Sequence, residues 1–119
     1  MRKVKKCYLK VLKVELEDLE DDIEQLIEET KKEKNAGKLT NYVFFQNIAL
    51  FKNELLALNV FENIINGVNP EEFETLDEMI EYLKKLFFQK IKILGLAEAI
   101  QIYVERKMMK ARKYVLERE

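Results

Sequence analysis

Glycine and proline are scarce in this sequence, whose 119 residues include three glycines and one proline. Tight turns and the boundaries of short strands depend largely on these two residue types, so the chain has material for only a few connections. Lys, Glu and Leu are abundant, and all three are strong helix formers. The sequence therefore predicts one all-α domain, residues 1–119, built from a few long helices.

The first predicted helix covers residues 4–34 and carries a narrow apolar stripe. The stripe residues alternate at intervals of three and four: Leu9, Leu12, Leu16, Leu19, Ile23, Leu26 and Thr30. This heptad spacing is typical of coiled-coil packing. Gly37 then indicates a turn, and Thr40 or Asn41 supplies an N-cap for the next helix.

The second predicted helix, residues 41–66, is apolar almost all the way round. Such a helix is typical of the centre of a bundle, where it has neighbours on several sides. Asn69 and Pro70 after it indicate a short helical turn. Thr75 and Glu78 then form a capping box that starts the third helix.

The third predicted helix covers residues 75–117, and its continuity depends on Gly95. One isolated glycine costs a helix only about 1 kcal/mol, and no other turn-forming residue flanks Gly95. The favoured prediction is one straight or kinked helix in an up-down-up bundle of three long helices. The alternative is a split at Gly95, with the last part folded back to complete a four-helix bundle.

Charge distribution favours the three-helix arrangement. The first helix is basic over residues 2–13 and acidic over 15–29, whereas the last helix starts acidic and ends basic. Parallel packing of these helices places opposite charges side by side, while folding back would return the basic end of the chain to its basic start. Single exposed ion pairs contribute only about 0–1 kcal/mol, but a whole-helix pattern can select a topology.

A continuous third helix would be longer than the second helix and would leave an apolar stripe with no neighbouring helix to bury it. That stripe consists of Ile100, Val104, Met108, Ala111 and Val115. A second copy in a twofold dimer is the simplest cover for it. The leading hypothesis is therefore a non-enzymatic helical protein that acts through self-association or through binding another protein.

The sequence contains no histidine, which excludes sites built on a histidine base and the Glu-x-x-His pattern of di-iron bundles. The remaining enzymatic hypothesis is carboxylate chemistry with Mg²⁺. Glu28, Glu29, Glu33 and the later Glu74-x-x-Asp77 resemble the acidic motifs of MazG-type all-α nucleotide pyrophosphohydrolases.

That resemblance implies Mg²⁺-dependent hydrolysis of a nucleotide. The spacing departs from the family pattern, because Glu33 follows Glu29 by four residues rather than three and the gap to Glu74 is longer. Solvated helix faces rich in charge produce such spacings by chance. We therefore interpret these carboxylates as part of solvated helix faces, and we assign no catalytic residue, metal ligand or cofactor.

A basic run near the end of the chain suggests a third hypothesis, weak nucleic-acid binding. The run consists of Arg106, Lys107, Lys110, Arg112 and Lys113, with Tyr103 and Tyr114 nearby for base stacking. The net charge of the whole chain is −1, which gives no general attraction to a polyanion or an anionic membrane. We therefore favour pairing of this run with the acidic part of the first helix, and expect neither nucleic acid nor membrane as a partner.

Cys7 is the only cysteine, which excludes an internal disulfide and a cysteine-cluster zinc site. We expect a buried structural thiol, because free cysteine is among the most often buried residue types. The sequence has no run of about 20 uninterrupted apolar residues to span a bilayer. Lys10, Lys13 and Glu15 interrupt the apolar segment that a signal peptide would need. We therefore expect a cytoplasmic protein.

Overall fold

The computed structural model describes residues 3–118 as an all-α protein, as the sequence predicts. Four helices follow one another: α1 (Val4–Asn35), α2 (Asn41–Gly67), α3 (Leu76–Leu94) and α4 (Ala99–Glu117). A short 3-10 turn, Pro70–Glu72, lies between α2 and α3. One hydrophobic core joins the four helices into a bundle.

The predicted capping residues start α2 and α3. The Thr40 hydroxyl accepts a hydrogen bond from the Val43 N–H at 3.2 Å. The Thr75 hydroxyl accepts one from the Glu78 N–H at 3.1 Å, and the Glu78 carboxylate accepts the Glu74 N–H at 3.2 Å. These bonds satisfy N–H groups that the helix itself leaves without partners, so local sequence determines both starts.

Gly95 divides the last predicted helix, so the favoured prediction of one continuous helix over residues 75–117 is wrong and the four-helix alternative is confirmed. Gly95 adopts the left-handed conformation, with φ at 65°. Its N–H bonds to the Lys92 carbonyl at 3.3 Å, and the Leu96 N–H bonds to the Ile91 carbonyl at 3.0 Å. This is the Schellman pattern, which ends a helix and reverses the chain.

A side chain of another helix provides the hydrogen-bond acceptor for the segment that follows Gly95. The Asn53 side chain of α2 accepts a hydrogen bond from the backbone N–H of Ala97. The sequence around Gly95 supplies no such acceptor, which is why the turn was not predicted from local residues. The α3–α4 connection therefore contacts α2 at Asn53.

Individual ion pairs accommodate the charges of the folded-back helix. Glu15, just beyond the basic start of α1, receives the ammonium groups of Lys107 and Lys110, each at 3.1 Å. Asp77 at the start of α3 accepts two hydrogen bonds from Arg112, at 2.7 and 3.2 Å. The end of α4 thus meets two carboxylates although it returns toward the basic start of the chain, so the whole-helix charge pattern was too coarse to select the topology.

The buried stripe of α1 follows a different period from the predicted heptad. Its members are Tyr8, Leu12, Leu16, Leu19, Ile23, Ile27 and Thr30, with Leu9 buried beside them. They are spaced by four, four and three residues, a repeat of about 3.67 residues per turn that does not call for a left-handed supercoil. Leu26, predicted in the stripe, is consequently exposed, and Ile27 is buried in its place.

The first two helices extend beyond the last two, which are shorter. The lengths are 32 and 27 residues for α1 and α2 but 19 each for α3 and α4. No described residue of α2 before Glu54 is buried. The end of α1 and the start of α2 therefore form a two-helix extension, which accounts for the elongated 58 × 31 × 18 Å shape. The predicted central position of α2 holds only for its second half.

Candidate interaction surfaces

The stripe predicted to bind a partner lies in the core. Ile100, Val104, Met108, Ala111 and Val115 are 0–5% exposed. The prediction that this stripe stays uncovered depended on a continuous last helix, and the turn at Gly95 overturns it. Because α4 folds back onto the bundle, these five side chains are not available to a partner of the folded chain.

The basic run of α4 is largely paired within the chain. Its members are the predicted nucleic-acid candidates Arg106, Lys107, Lys110, Arg112 and Lys113. Besides the pairs with Glu15 and Asp77, Lys113 lies 3.9 Å from the Glu117 carboxylate, and the Arg106 guanidinium lies 6.0 Å from the Tyr103 ring centroid. The predicted pairing with α1 is confirmed, because Lys107 and Lys110 both bond to Glu15.

The pKa of Glu15 reflects both its burial and its contacts with Lys107 and Lys110. Its partial burial favours the neutral form, but the hydrogen bonds from Lys107 and Lys110 outweigh that effect and lower the pKa of Glu15 below its ordinary value. Asp77 behaves similarly, since the hydrogen bond from Arg112 lowers the pKa of this exposed carboxyl group. Both carboxylates are thus engaged structurally by α4.

The acidic candidates for a metal site lie at two distant places. Glu74 and Asp77 lie at the start of α3, whereas Glu28, Glu29 and Glu33 lie near the end of α1. The Lys5 ammonium bonds to the Phe73 carbonyl, so the start of α3 is near the start of α1. Glu28 is then about 35 Å further along α1, at about 1.5 Å per residue.

Within residues 3–118, no three Asp, Glu or Cys side chains are grouped to hold a metal ion. The acidic motifs that resemble those of the nucleotide pyrophosphohydrolases are therefore not brought together by this fold. Glu28 instead pairs with Lys31 at 3.4 Å, and the Glu29 carboxylate accepts a hydrogen bond from Gln25 at 3.2 Å.

Cys7 is exposed, so the expected buried thiol is wrong. The neighbouring Tyr8 takes the core position at this level of α1 and is fully buried. Burial without a hydrogen-bond partner for its hydroxyl among residues 3–118 raises the pKa of Tyr8 above its ordinary value. The general tendency of free cysteine to be buried was therefore a poor guide here, because Cys7 lies off the face of α1 that Tyr8 and Leu12 bury.

Glu54 is a carboxyl group buried where α2 enters the four-helix core, with 7% of its surface exposed. Loss of hydration penalises the charged form and raises the pKa of Glu54. The folded chain then keeps this proton over a pH range in which the unfolded chain has released it. Its contribution to stability is therefore most favourable below the unfolded pKa and is lost as the pH rises through the folded pKa.

We expect Glu54→Gln to raise the thermal unfolding midpoint at about pH 7 and to change it little near pH 3.5, where carboxyl groups are mostly protonated. Circular dichroism melts at both pH values measure this difference. Glu24→Gln, which neutralises an exposed carboxylate on α1, is the matched control and should leave both midpoints nearly unchanged. An unchanged or lower midpoint for Glu54→Gln at neutral pH would contradict the desolvation of Glu54.

The largest uncovered apolar side chains of α2 lie on one face of the helix. Tyr42, Phe45 and Leu56 are 71%, 66% and 58% exposed. Ala49 lies between them and is also exposed. Intervals of three, four and seven residues place all four side chains on one face, roughly opposite the buried Phe61. We call Tyr42, Phe45, Ala49 and Leu56 the α2 outer stripe.

A groove of about 380 Å³ lies between the second half of α2 and α3. Val60 and Ile64 form the α2 wall, and Tyr82, Leu86 and Leu94 form the α3 wall. Tyr82 is held in place on its other side by Phe73, with 5.2 Å between the ring centroids. Lys90 is the one charged side chain that lines the groove. We call this surface the α2–α3 groove.

Sequence reasoning missed both surfaces because it interpreted the apolar circumference of α2 as evidence of a central position. The available signal was that apolar residues occupy two opposite faces of α2, although one face is enough to join a bundle. Identifying the uncovered face also requires the lengths of α3 and α4. Those lengths depend on the turn at Gly95.

No protein-family model, curated protein or solved structure matches the chain. Among residues 3–118, no helix combines the length and the apolar character needed to cross a membrane. The function is therefore inferred from the surfaces of the chain itself.

Proposed function

We propose that this chain is a non-enzymatic helical interaction module that self-associates through the α2 outer stripe. The observation that supports the proposal is the exposure of Tyr42, Phe45 and Leu56 on one face of a single helix. Isolated exposed apolar residues are ordinary on protein surfaces, but several large ones on one helix face favour association. The surface differs from the α4 stripe predicted from the sequence, while the proposed role is the same.

A second copy of the chain is the partner that fits the order of residues along the stripe. Tyr42 and Phe45 occupy its first half and Leu56 its second half. Antiparallel packing of two α2 helices about a twofold axis therefore places the aromatic side chains of one copy against the aliphatic side chain of the other. Ala49 lies near the centre, where a small side chain allows a close approach of the helix axes.

The amount of apolar surface indicates a weak dimer. A fully exposed aromatic side chain offers about 150–250 Å² for burial. Tyr42, Phe45 and Leu56 are only partly exposed, so these three side chains of two copies together offer roughly 700 Å². Specific interfaces commonly bury about 1,200–2,000 Å² in total, including the surrounding rim. Interfaces at the low end of this range are typical of weak or transient complexes, so we expect a dissociation constant in the micromolar range.

Phe45→Glu is expected to convert this dimer into a monomer. Association would bury the new carboxylate without a cationic partner, which costs several kcal/mol and weakens association by at least about 100-fold. Analytical ultracentrifugation from low to high micromolar concentration measures the change. The wild-type sedimentation coefficient should rise with concentration, and that of Phe45→Glu should stay at the monomer value.

Ile102→Glu is the matched control, because it places the same charge on an exposed aliphatic position of α4. It should dimerise like the wild type, and all three proteins should have the same helical circular dichroism spectrum. A wild-type chain that stays monomeric at high micromolar concentration contradicts the proposal. A Phe45→Glu chain that still dimerises shows that the interface lies elsewhere and also contradicts it.

No structural observation favours the two other hypotheses as a second candidate function. The carboxylates of the Mg²⁺ hypothesis lie in separate parts of the bundle, Glu74 and Asp77 around the start of α3 and Glu28, Glu29 and Glu33 near the end of α1. The basic residues of the nucleic-acid hypothesis are mainly paired with Glu15, Asp77 and Glu117.

A further inference from the structure

We infer that the α2–α3 groove binds an amphipathic helix of another protein, one that carries a carboxylate beside its apolar face. The groove lies on the second half of α2, whereas Tyr42 and Phe45 lie on the first half; Leu56 is the stripe residue nearest to it, one helical turn before Val60. This inference goes beyond self-association and does not depend on it.

The dimensions of the groove suit about three turns of helix. Its α3 wall runs from Tyr82 to Leu94, which is about 18 Å at about 1.5 Å per residue. Val60 and Ile64 stand opposite on α2 and are half-buried, so the floor is partly closed while the top is open to solvent. An added helix would bury one face against both walls and keep its outer face hydrated, as in other helix-in-groove complexes.

The apolar anchors of the α3 wall continue beyond the groove itself. Leu86 is half-buried, and Ile93 follows it by seven residues on the same face of α3 with 81% of its surface exposed. Tyr82 precedes Leu86 by four residues and is also exposed. Spacings of four and seven residues match the apolar positions of an amphipathic helix packed alongside.

The charge of the groove favours a partner helix that carries a carboxylate. The chain carries 22 acidic residues, yet none of them lines the groove, and Lys90 is its one charged group. Lys90 forms no ion pair with any other residue between 3 and 118. A helix laid across the groove would take the Lys90 ammonium out of water, and a carboxylate on that helix would offset the cost. A basic helix would add repulsion instead.

Two synthetic peptides of about 14 residues test the inference. Both carry leucines at the same helical positions, and they differ only in having Glu or Lys beside that apolar face. Fluorescence anisotropy at low ionic strength should show micromolar binding of the Glu peptide to the wild-type chain, at least about tenfold tighter than binding of the Lys peptide. Lys90→Glu should reverse this preference, whereas Lys92→Glu, at an exposed position outside the groove lining, should keep it.

Ile93→Glu adds a variant at an exposed position, which should fold like the wild type and should weaken binding of the Glu peptide at least about fivefold. Equal binding of the two peptides, no binding of the Glu peptide at several hundred micromolar, or an unchanged preference in Lys90→Glu would overturn the inference. The Phe45→Glu chain separates this result from self-association. Peptide binding by that monomer supports the groove whatever the oligomeric state of the wild type, and a Phe45→Glu monomer that binds no Glu peptide overturns the groove alone.

Discussion

Replacing Met108 with glutamate is expected to abolish cooperative folding of the chain. Met108 is 1% exposed and packs in the core on α4. Burying an unpaired carboxylate there costs several kcal/mol, and loss of the methionine packing adds about 2–5 kcal/mol. Domains of this kind are stable by only about 5–15 kcal/mol in total. Far-UV circular dichroism and thermal melts measure the loss.

Met109→Glu is the matched control for this prediction. It makes the same change in the next residue, which is 67% exposed, and should alter the free energy of unfolding by no more than about 0.5 kcal/mol. The pair of variants separates the two arrangements of the last helix. If α4 carried an uncovered stripe, Met108→Glu would fold normally and lose only association. A well-folded Met108→Glu protein would therefore contradict the packing of α4.

Phe61→Ala is expected to lower the free energy of unfolding by about 3–5 kcal/mol. The Phe61 side chain is fully buried on the core face of α2, and its ring centroid lies 4.6 Å from that of Phe87 on α3. Removing the ring leaves a cavity that two rigid helices close only in part, and it also removes an aromatic contact of about 0.5–1.5 kcal/mol. Urea denaturation followed by circular dichroism measures the change.

Phe45→Ala makes the same substitution on the same helix at an exposed position. At concentrations that keep the chain monomeric, it should change the free energy of unfolding by no more than about 0.5 kcal/mol. Equal losses for the two variants, or a loss below about 1 kcal/mol for Phe61→Ala, would show that the buried and uncovered faces of α2 have been assigned wrongly. Together the two variants test the face assignment on which the α2 outer stripe rests.

The sequence predicted well wherever a boundary depends on residues within one helical turn. The starts of α2 and α3 follow from Thr40 and Thr75, whose hydroxyl groups accept N–H groups three residues later. Six of the seven residues predicted in the core stripe of α1 are buried, Thr30 among them, and Leu26 is the one that is not. The predicted alternation of three and four and the observed four-four-three repeat differ there by one residue and coincide again at Thr30.

The candidate surfaces were less accessible to sequence reasoning than the helices. The apolar character of α2 was evident, but the same residues can be buried by neighbours or left for a partner. The α4 stripe gave the opposite error, because its residues were correctly recognised as an apolar face and then assigned to the wrong neighbour. Periodicity identifies the apolar faces of the helices. Only the packing of the helices shows which of these faces are buried within the chain and which stay exposed.

Composition, periodicity and capping residues by themselves determined that this protein is helical and where α2 and α3 begin. The scarcity of glycine and proline limits it to a few long helices, because so few turns are available. The tertiary structure decided that the last predicted helix ends at Gly95 and that the chain then folds back as α4. The left-handed turn at Gly95 is completed by Asn53, which is 44 residues away from the Ala97 N–H that it accepts. A hydrogen bond between distant segments exists only once the helices have packed, so no local pattern could reveal that α4 folds back into the core and leaves the α2 outer stripe uncovered.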